Sequence, residues 1–192
     1  MVAALSGGNL YRKNSFFLNS LGKKIASSEL TIVEDPFLKK GNASTYFDDD
    51  GLKVNKRVVV DNGELKGYFL STYSAKKLKM LSTGNSGGAH NLLVQSSNVT
   101  LDELLVRMDR GLFITDLLGH GTNMVTGDYS RGASGFWVED GKIIHSVEGI
   151  TIAGNLKDMY KNIRLIANDI YKNSSRYVGS MLIDNITVGS EK

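Results

Sequence analysis

Two short turn sequences constrain the fold of this chain more than any other feature. Asp61-Asn62-Gly63 and Asp140-Gly141 place residues that tolerate positive φ between runs rich in β-branched and aromatic residues. A tight turn of this kind joins neighbouring antiparallel strands, whereas a crossover to a parallel strand needs about a dozen residues or more. The two turns therefore predict β-hairpins and disfavour a doubly wound parallel sheet.

The remaining patterns predict short helices inserted among strands. Thr100 and Glu103 fit a capping box, which predicts a helix through Met108. Asn155 caps a helix that we expect around residues 156–166. Apolar spacing predicts further short helices at 15–24 and 73–80, strands at 30–33, 111–118 and 135–139, and a region at 177–188 that closes the sheet.

These elements predict an α+β fold, in which a predominantly antiparallel, barrel-like β-sheet carries a few short inserted helices. Residues 1–5 are interpreted as the end of a helix that stops at Gly7-Gly8. A length of 192 residues fits one domain with a single core.

Composition narrows the chemistry and the location. With no cysteine, the chain has no disulfide and no thiolate nucleophile or ligand, which is typical of a protein in a reducing compartment. The start of the chain lacks the basic residues of a secretory signal, and no apolar run is long enough to span a membrane. A net charge of +3 is too small to indicate nucleic-acid binding. We therefore expect a cytoplasmic protein without membrane or nucleic-acid partners.

One motif resembles the nucleophile turn of serine hydrolases. Residues 84–88 satisfy G-x-S-x-G around Ser86, and Asp128 and His145 follow in the order of a catalytic triad. Such a nucleophile needs a buried strand before it and a helix after it, but the preceding residues are basic and polar and the following ones look extended. We interpret the motif as a glycine-rich loop, and a serine hydrolase that uses Ser86 is the least favoured function.

No metal site is predicted within this chain. His90, His120 and His145 are far apart, and none belongs to an H-x-x-x-H pair that would place two imidazoles on one helical face. Residues 48–51 read Asp-Asp-Asp-Gly but lack the alternation and the distal glutamate of a calcium loop. We expect each histidine to make a structural hydrogen bond or to lie at the surface.

Residues 127–137 are the densest polar and aromatic segment of the chain. Asp128 and Arg131 are close enough to pair within a turn, which would give a tight corner with Trp137 in the core. Alternatively, Asp128, Tyr129, Ser130 and Arg131 form a rim that binds a peptide or a partner. These four are the candidate substrate-binding or partner-binding residues, and apart from the disfavoured Ser86 motif we assign no catalytic residue.

The segment 127–139 is one of five stretches that together carry a family resemblance. In chain order they are Ser6-Gly7-Gly8-Asn9-Leu10-Tyr11-Arg12-Lys13, Ser71-Thr72-Tyr73-Ser74-Ala75, Ser82-Thr83-Gly84-Asn85-Ser86-Gly87-Gly88, residues 127–139 and Thr151-Ile152-Ala153-Gly154-Asn155-Leu156-Lys157-Asp158-Met159. These stretches span nearly the whole chain, and the sequence resembles the TldD/PmbA family, also called modulators of DNA gyrase, and specifically its PmbA (TldE) branch.

The resemblance implies a β-rich C-terminal domain, residues 1–192, that an α/β N-terminal domain normally precedes. In the family, TldD-type subunits hold zinc through a glutamate and two histidines on one helix and a later cysteine, whereas PmbA-type subunits typically lack these ligands and pair with a TldD-type chain. The resemblance thus implies a non-catalytic subunit domain of an intracellular metallopeptidase that processes unfolded peptides. Its partner would be a TldD-type chain, which would carry the zinc, or a second copy. The alternative is a regulatory protein-binding module without a role in proteolysis.

Overall fold

The computed structural model describes residues 1–190, which form four short α-helices and eleven strands. A 3-10 helical turn, Val2–Leu5, precedes the helices α1 (Gly7–Tyr11), α2 (Thr72–Leu78), α3 (Leu101–Met108) and α4 (Leu156–Lys161). The strands are β1 (Ile32–Glu34), β2 (Arg57–Asp61), β3 (Glu64–Leu65), β4 (Leu92–Val94), β5 (Gly111–Leu118), β6 (Asp128–Glu139), β7 (Lys142–Asn155), β8 (Ile163–Ile166), β9 (Arg176–Tyr177), β10 (Met181–Ile183) and β11 (Thr187–Ser190).

The strands form three sheets that are almost entirely antiparallel. A five-stranded sheet has the order β3-β2-β1-β4-β9, a two-stranded sheet pairs β10 with β8, and a four-stranded sheet has the order β11-β7-β6-β5. Only the β4–β9 pair is parallel within residues 1–190. The predicted α+β class with mainly antiparallel sheets is confirmed. Within those residues no barrel closes, because each sheet keeps two edge strands.

The local turn and cap predictions are confirmed. Asn62 and Gly63 adopt φ of 45° and 80° between β2 and β3, and Asp140 and Gly141 adopt 50° and 69° between β6 and β7. Both turns have positive φ at two successive residues, the geometry that matches the twist of an antiparallel pair. The capping box before α3 is also present.

Tertiary contacts override the helix predicted at residues 15–24. The segment forms turns, because Tyr68 holds it: the Tyr68 hydroxyl donates to the Phe17 carbonyl at 2.8 Å and accepts from the Ser20 amide at 2.9 Å. Gly7-Gly8 begins α1 instead of ending a helix. A Cβ on Gly7 would lie 2.2 Å from the Ser74 hydroxyl, so the glycine there permits close packing of α1 on α2.

Two predicted elements near the carboxyl end of the chain were also wrong. The helix predicted to reach residue 166 ends at Lys161, because Ile163–Ile166 pairs with β10 as a strand. The single closing region at 177–188 is divided among three short strands.

The largest buried cluster surrounds the five-stranded sheet, and a smaller one lies on the four-stranded sheet around Ala133, Ile150 and Ile152. Among the described residues, no helix is long and apolar enough to cross a bilayer.

Candidate functional site

An apolar cavity of about 930 Å³ lies beside β5, an edge strand of the four-stranded sheet. We call it the β5 groove. Its first wall is β5 itself, together with Tyr129 of β6 and Ile152 of β7. Further lining comes from α3, α4 and β10, through Leu104, Leu105, Met108, Leu156, Met159, Tyr160, Leu182 and Ile183, and Ile186 lines the groove from the cluster on the four-stranded sheet. A concave apolar site with a few polar groups is the usual form of a binding site.

Strand β5 borders this groove with an unpaired edge. It is the last strand in the order β11-β7-β6-β5, so only its β6 side has a strand partner. Within residues 1–190, no turn or loop backbone group bonds to Gly111–Leu118. The outward N–H and C=O groups of an edge strand are a ready template for another extended chain. The β5 groove therefore combines an apolar surface with free backbone donors and acceptors.

Two of the four candidate residues contact the groove or its edge. Tyr129 lines the groove beside Tyr160, a half-buried residue of α4, and the partial removal of the Tyr160 hydroxyl from water raises its pKa to about 12. Arg131 donates to the carbonyls of Leu117 and Leu118, at 3.0 Å and 3.4 Å. Arg131 thus fixes the far end of β5, where its open edge finishes.

The other two candidates lie on the exposed rim of β6. The Asp128 carboxylate accepts from the Thr126 hydroxyl at 2.6 Å and from the Asn155 amide at 2.9 Å. These two bonds, the hydroxyl first, hold the pKa of Asp128 below its usual range. The Ser130 amide donates to the Gly121 carbonyl at 2.8 Å, and its side chain is exposed.

The tight corner considered for this segment is not present. Residues 128–139 form one extended strand, where positions three apart point to opposite faces, so Asp128 and Arg131 do not pair. Trp137 is only partly buried: it lines the β5 groove, with the Arg110 guanidinium carbon 5.4 Å from its ring centroid. The glycines that suggested a corner serve the sheet instead. A Cβ on Gly135 would lie 2.1 Å from the Phe113 carbonyl oxygen of β5.

A buried polar cluster fixes the glycine-rich loop next to the five-stranded sheet. Glu34 of β1 is 1% exposed, and its carboxylate accepts from Arg57 Nε at 2.8 Å and Asn85 Nδ2 at 2.7 Å. The His90 amide also donates to it at 2.9 Å, and His90 Nδ1 lies 2.9 Å away. Sequence reasoning missed Glu34, because its partners are 23 to 56 positions away and no local pattern joins them.

Ser86 lies in that loop and is not assembled with a triad. Its backbone amide donates to Asp48 Oδ2 at 3.0 Å, while Asp128 and His145 belong to β6 and β7 of the four-stranded sheet. The structure places the Ser86 motif in a loop, as the sequence predicted. His90 makes a buried hydrogen bond, and His120 and His145 are exposed, which confirms the predictions for the three histidines.

Comparison with known proteins gives the family. The sequence profile described as "PmbA/TldA metallopeptidase C-terminal domain" matches residues 1–190. The chain belongs to this family. Its PmbA branch is indicated by the curated relatives: the "Metalloprotease PmbA homolog" of Haemophilus influenzae is 50% identical over 97% of this chain, and the "Metalloprotease PmbA" of Escherichia coli is 46% identical over 100%. A "Metalloprotease TldD homolog" of Buchnera aphidicola is 26% identical over 95%.

Two solved structures share this fold. A crystal structure from Bacteroides thetaiotaomicron, described as a candidate modulator of DNA gyrase, has a TM-score of 0.95 and 34% identity, covering 100% of this chain and 43% of that one. TldE from Thermococcus kodakarensis has a TM-score of 0.87 and 26% identity, covering 99% and 46%. The chain spans 42% of the length of the two PmbA relatives.

The donors among residues 1–190 do not fit a zinc ion of the metallopeptidase kind. Such a site takes imidazole, thiolate and carboxylate ligands that converge on one point. Within residues 1–190 no three His, Cys, Asp or Glu side chains are grouped closely enough to hold a metal. The one buried histidine, His90, already has Nδ1 directed at Glu34, and the chain has no cysteine.

Proposed function

We propose that this PmbA/TldD-family chain is a non-catalytic subunit domain of a cytoplasmic metallopeptidase, and that the β5 groove holds an unfolded peptide for a partner subunit to cleave. The observation that carries the proposal is the open edge of β5 beside an apolar cavity of about 930 Å³. The names of its relatives as metalloproteases support the reaction class.

Strand addition is the binding mode that this geometry supports. A peptide beside β5 would bond its backbone to the free groups of Gly111–Asp116 and place alternate side chains in the groove. An unfolded segment can extend and free its backbone groups for such pairing, whereas a helix uses them internally. Arg131 would act as a positioning residue, because it fixes the Leu117 end of the edge.

The donor set of the described residues supports a division of roles between two subunits. Since the described side chains do not fit zinc, we assign the metal to a TldD-type partner, or to another subunit of the assembly. This chain would then supply the backbone template and the apolar pocket, which orient the peptide and lower the entropic cost of reaction.

Mixing the chain with a TldD-type subunit tests the proposal. We expect the pair to co-elute in gel filtration and to cleave an unstructured fluorogenic peptide faster than the TldD-type subunit alone. Leu112→Glu, which puts a charge into the groove, should abolish most of the stimulation. Ile143→Glu is the matched control, because Ile143 is exposed on β7 outside the groove. Absence of both complex and stimulation would refute the assignment.

A regulatory binding module is the second candidate, favoured by the gyrase-modulator description of the structure from Bacteroides thetaiotaomicron. This alternative requires the chain to retain a gyrase subunit, or DNA, without any effect on peptide cleavage. With a net charge of +3, DNA is the less favoured ligand. Steeply salt-dependent retention of DNA on a column of the immobilised chain would reverse that preference.

A further inference from the structure

Acidic and basic residues are segregated along this chain. Residues 1–28 and 65–101 contain no aspartate or glutamate, and together they hold eight of the 23 lysines and arginines. All 20 acidic residues lie elsewhere, so the rest of the chain carries a net negative charge. The net charge of +3 therefore conceals a basic part of the molecule.

Packing of α1 on α2 brings the two basic stretches together. The helices meet where Gly7 lies against Ser74, and basic residues follow or form the last turn of each. The exposed cations at these two helix ends are Arg12, Lys13, Lys76, Lys77 and Lys79. Among residues 1–190, none of the five forms an ion pair. Their charges are therefore open to a ligand.

Two tyrosines connect the cations of the two helices. The Arg12 guanidinium carbon lies 5.2 Å from the centroid of the Tyr11 ring, and the Tyr11 and Tyr73 centroids are 5.7 Å apart in an edge-to-face arrangement. On α2, Lys77 Nζ lies 5.6 Å from the Tyr73 centroid, and Lys76 projects from the same side because it follows Tyr73 by three positions. These five residues are called the α1–α2 basic surface. The ring contacts hold the cations in place without neutralising them.

An exposed leucine follows this surface in the chain. Leu81 lies three positions after the end of α2 and is 88% exposed, more than any other large apolar side chain of residues 1–190. The nearest acidic contact to α2 is at its other end, where the Thr72 amide donates to the Asp50 carboxylate at 2.9 Å. The carboxyl end of α2 thus presents positive charge beside one apolar side chain.

The ring geometry favours a polypeptide over a nucleic acid as the anionic ligand. Bases of a single strand stack on open aromatic faces. Here each tyrosine has a cation over its ring and the other tyrosine beside it, which leaves little open ring surface. A polypeptide needs no such face, because its carboxylates pair with the cations and an apolar side chain contacts Leu81.

We propose that the α1–α2 basic surface docks an acidic segment of a partner protein, with an apolar residue of that segment against Leu81. None of the surface residues lines the β5 groove, so this docking site is separate from the proposed peptide site. The proposal therefore does not depend on peptide cleavage, and it can hold or fail independently of the subunit assignment.

Fluorescence anisotropy with a labelled probe peptide tests the proposal. The probe is a short blocked peptide of glutamates around one central leucine, and a second probe has glutamine in place of every glutamate. We expect the chain to bind only the glutamate probe in dilute salt, and to release it in about 1 M salt, where the screening length is about 3 Å. Absence of binding, or equal binding of the two probes, would overturn the proposal.

Charge removal locates the site. Arg12→Gln, Lys76→Gln and Lys77→Gln together should weaken binding of the glutamate probe about tenfold, since each exposed ion pair contributes little. The matched control removes the same number of exposed cations elsewhere: Lys142→Gln, Lys161→Gln and Lys172→Gln. Circular dichroism checks that both variants keep the native fold. Equal weakening in the two variants would mean a response to net charge alone, and the proposed site would be wrong.

Leu81→Gln separates the apolar contact from the charges. It should weaken binding of the leucine-containing probe about threefold and leave the binding of an all-glutamate probe unchanged. An equal effect on both probes would contradict the contact assigned to Leu81.

Other occupants give distinct results. Tighter binding of an oligodeoxythymidylate of the same charge, lost in the variant without Arg12, Lys76 and Lys77, would show a nucleic-acid site and overturn the proposal. A dimer in sedimentation velocity that the same variant abolishes would show that a second copy occupies the surface, which would also overturn it.

Discussion

Glu34 is the most densely bonded acidic side chain of the buried core. It receives hydrogen bonds from β2 through Arg57 and from the glycine-rich loop through Asn85 and His90. A carboxylate that is 1% exposed would be very costly without such partners. Glu34 therefore joins three separate parts of the chain at one point.

We expect Glu34→Gln to lower the free energy of unfolding by about 3–5 kcal/mol, because it leaves the Arg57 charge without its buried partner. The amide also turns an N–H toward groups that now donate. Glu64→Gln is the matched control: Glu64 pairs with Lys66 at 2.9 Å, but both side chains are about 40% exposed. An exposed pair is worth at most about 1 kcal/mol. Urea unfolding of both variants measures the difference, and similar losses would contradict this account.

For individual side chains, the sequence predicted contacts between residues that are only a few positions apart. Thr100 and Glu103 are three positions apart, so their capping box could be predicted. Asn85 and Glu34 are 51 positions apart, and their contact depends on how the sheet brings β1 to the loop. The charge of Arg110 is visible in the sequence, but its place over the Trp137 ring at the β5 groove is not.

The long hairpin of β6 and β7 rests on α3 at its turn. A Cβ on Gly141 would lie 2.7 Å from the Cα of Val106, and the Gly141 amide donates to the Asp109 carbonyl at 2.9 Å. This contact holds the end of the hairpin over α3, which also lines the β5 groove. Gly149, in the middle of β7, also has a positive φ but faces open space.

These two glycines allow backbone strain to be separated from packing. Gly149→Ala should cost about 1–2 kcal/mol, since alanine is strained at a φ of 65°. Gly141→Ala has the same strain at 69° and adds the close approach to α3, so we expect a further loss of about 1–3 kcal/mol. Thermal unfolding of the two variants gives the comparison. Equal losses would mean that the turn does not depend on α3.

The sequence predicted the turn of this hairpin but not the length of its strands. Glycines at 127, 132 and 135 are typical of a loop, so the sequence predicts a strand that begins at residue 135, whereas β6 begins at Asp128. In the sheet, Gly135 is required where β5 approaches so closely that a Cβ would meet the Phe113 carbonyl. Composition alone does not distinguish a flexible glycine from one that permits close strand packing.

At the scale of the whole molecule, residues 176–190 tie the three sheets together. β9 joins the five-stranded sheet, β10 the two-stranded sheet and β11 the four-stranded sheet. Nothing in the apolar pattern of this region separates the residues of one sheet from those of another. The sequence therefore predicts one closing region where the structure has three strands. The β5 groove depends on this arrangement, since Leu182 of β10 and Ile186 immediately before β11 both line it.

Two truncated chains measure how much β11 and β10 each contribute to the stability of the fold. A chain that ends at Asp184 loses β11, whose four residues are all exposed, and the partly buried Ile186, so we expect it to stay folded with a loss of about 1–2 kcal/mol. A chain that ends at Gly179 also loses β10. It uncovers β8 and removes Leu182, which is 6% exposed and packs with Val99 and Leu104. We expect this shorter chain to lose cooperative thermal unfolding in calorimetry. A sharp thermal transition in the shorter chain would contradict this expectation, because it would show that the remaining strands fold cooperatively without β10.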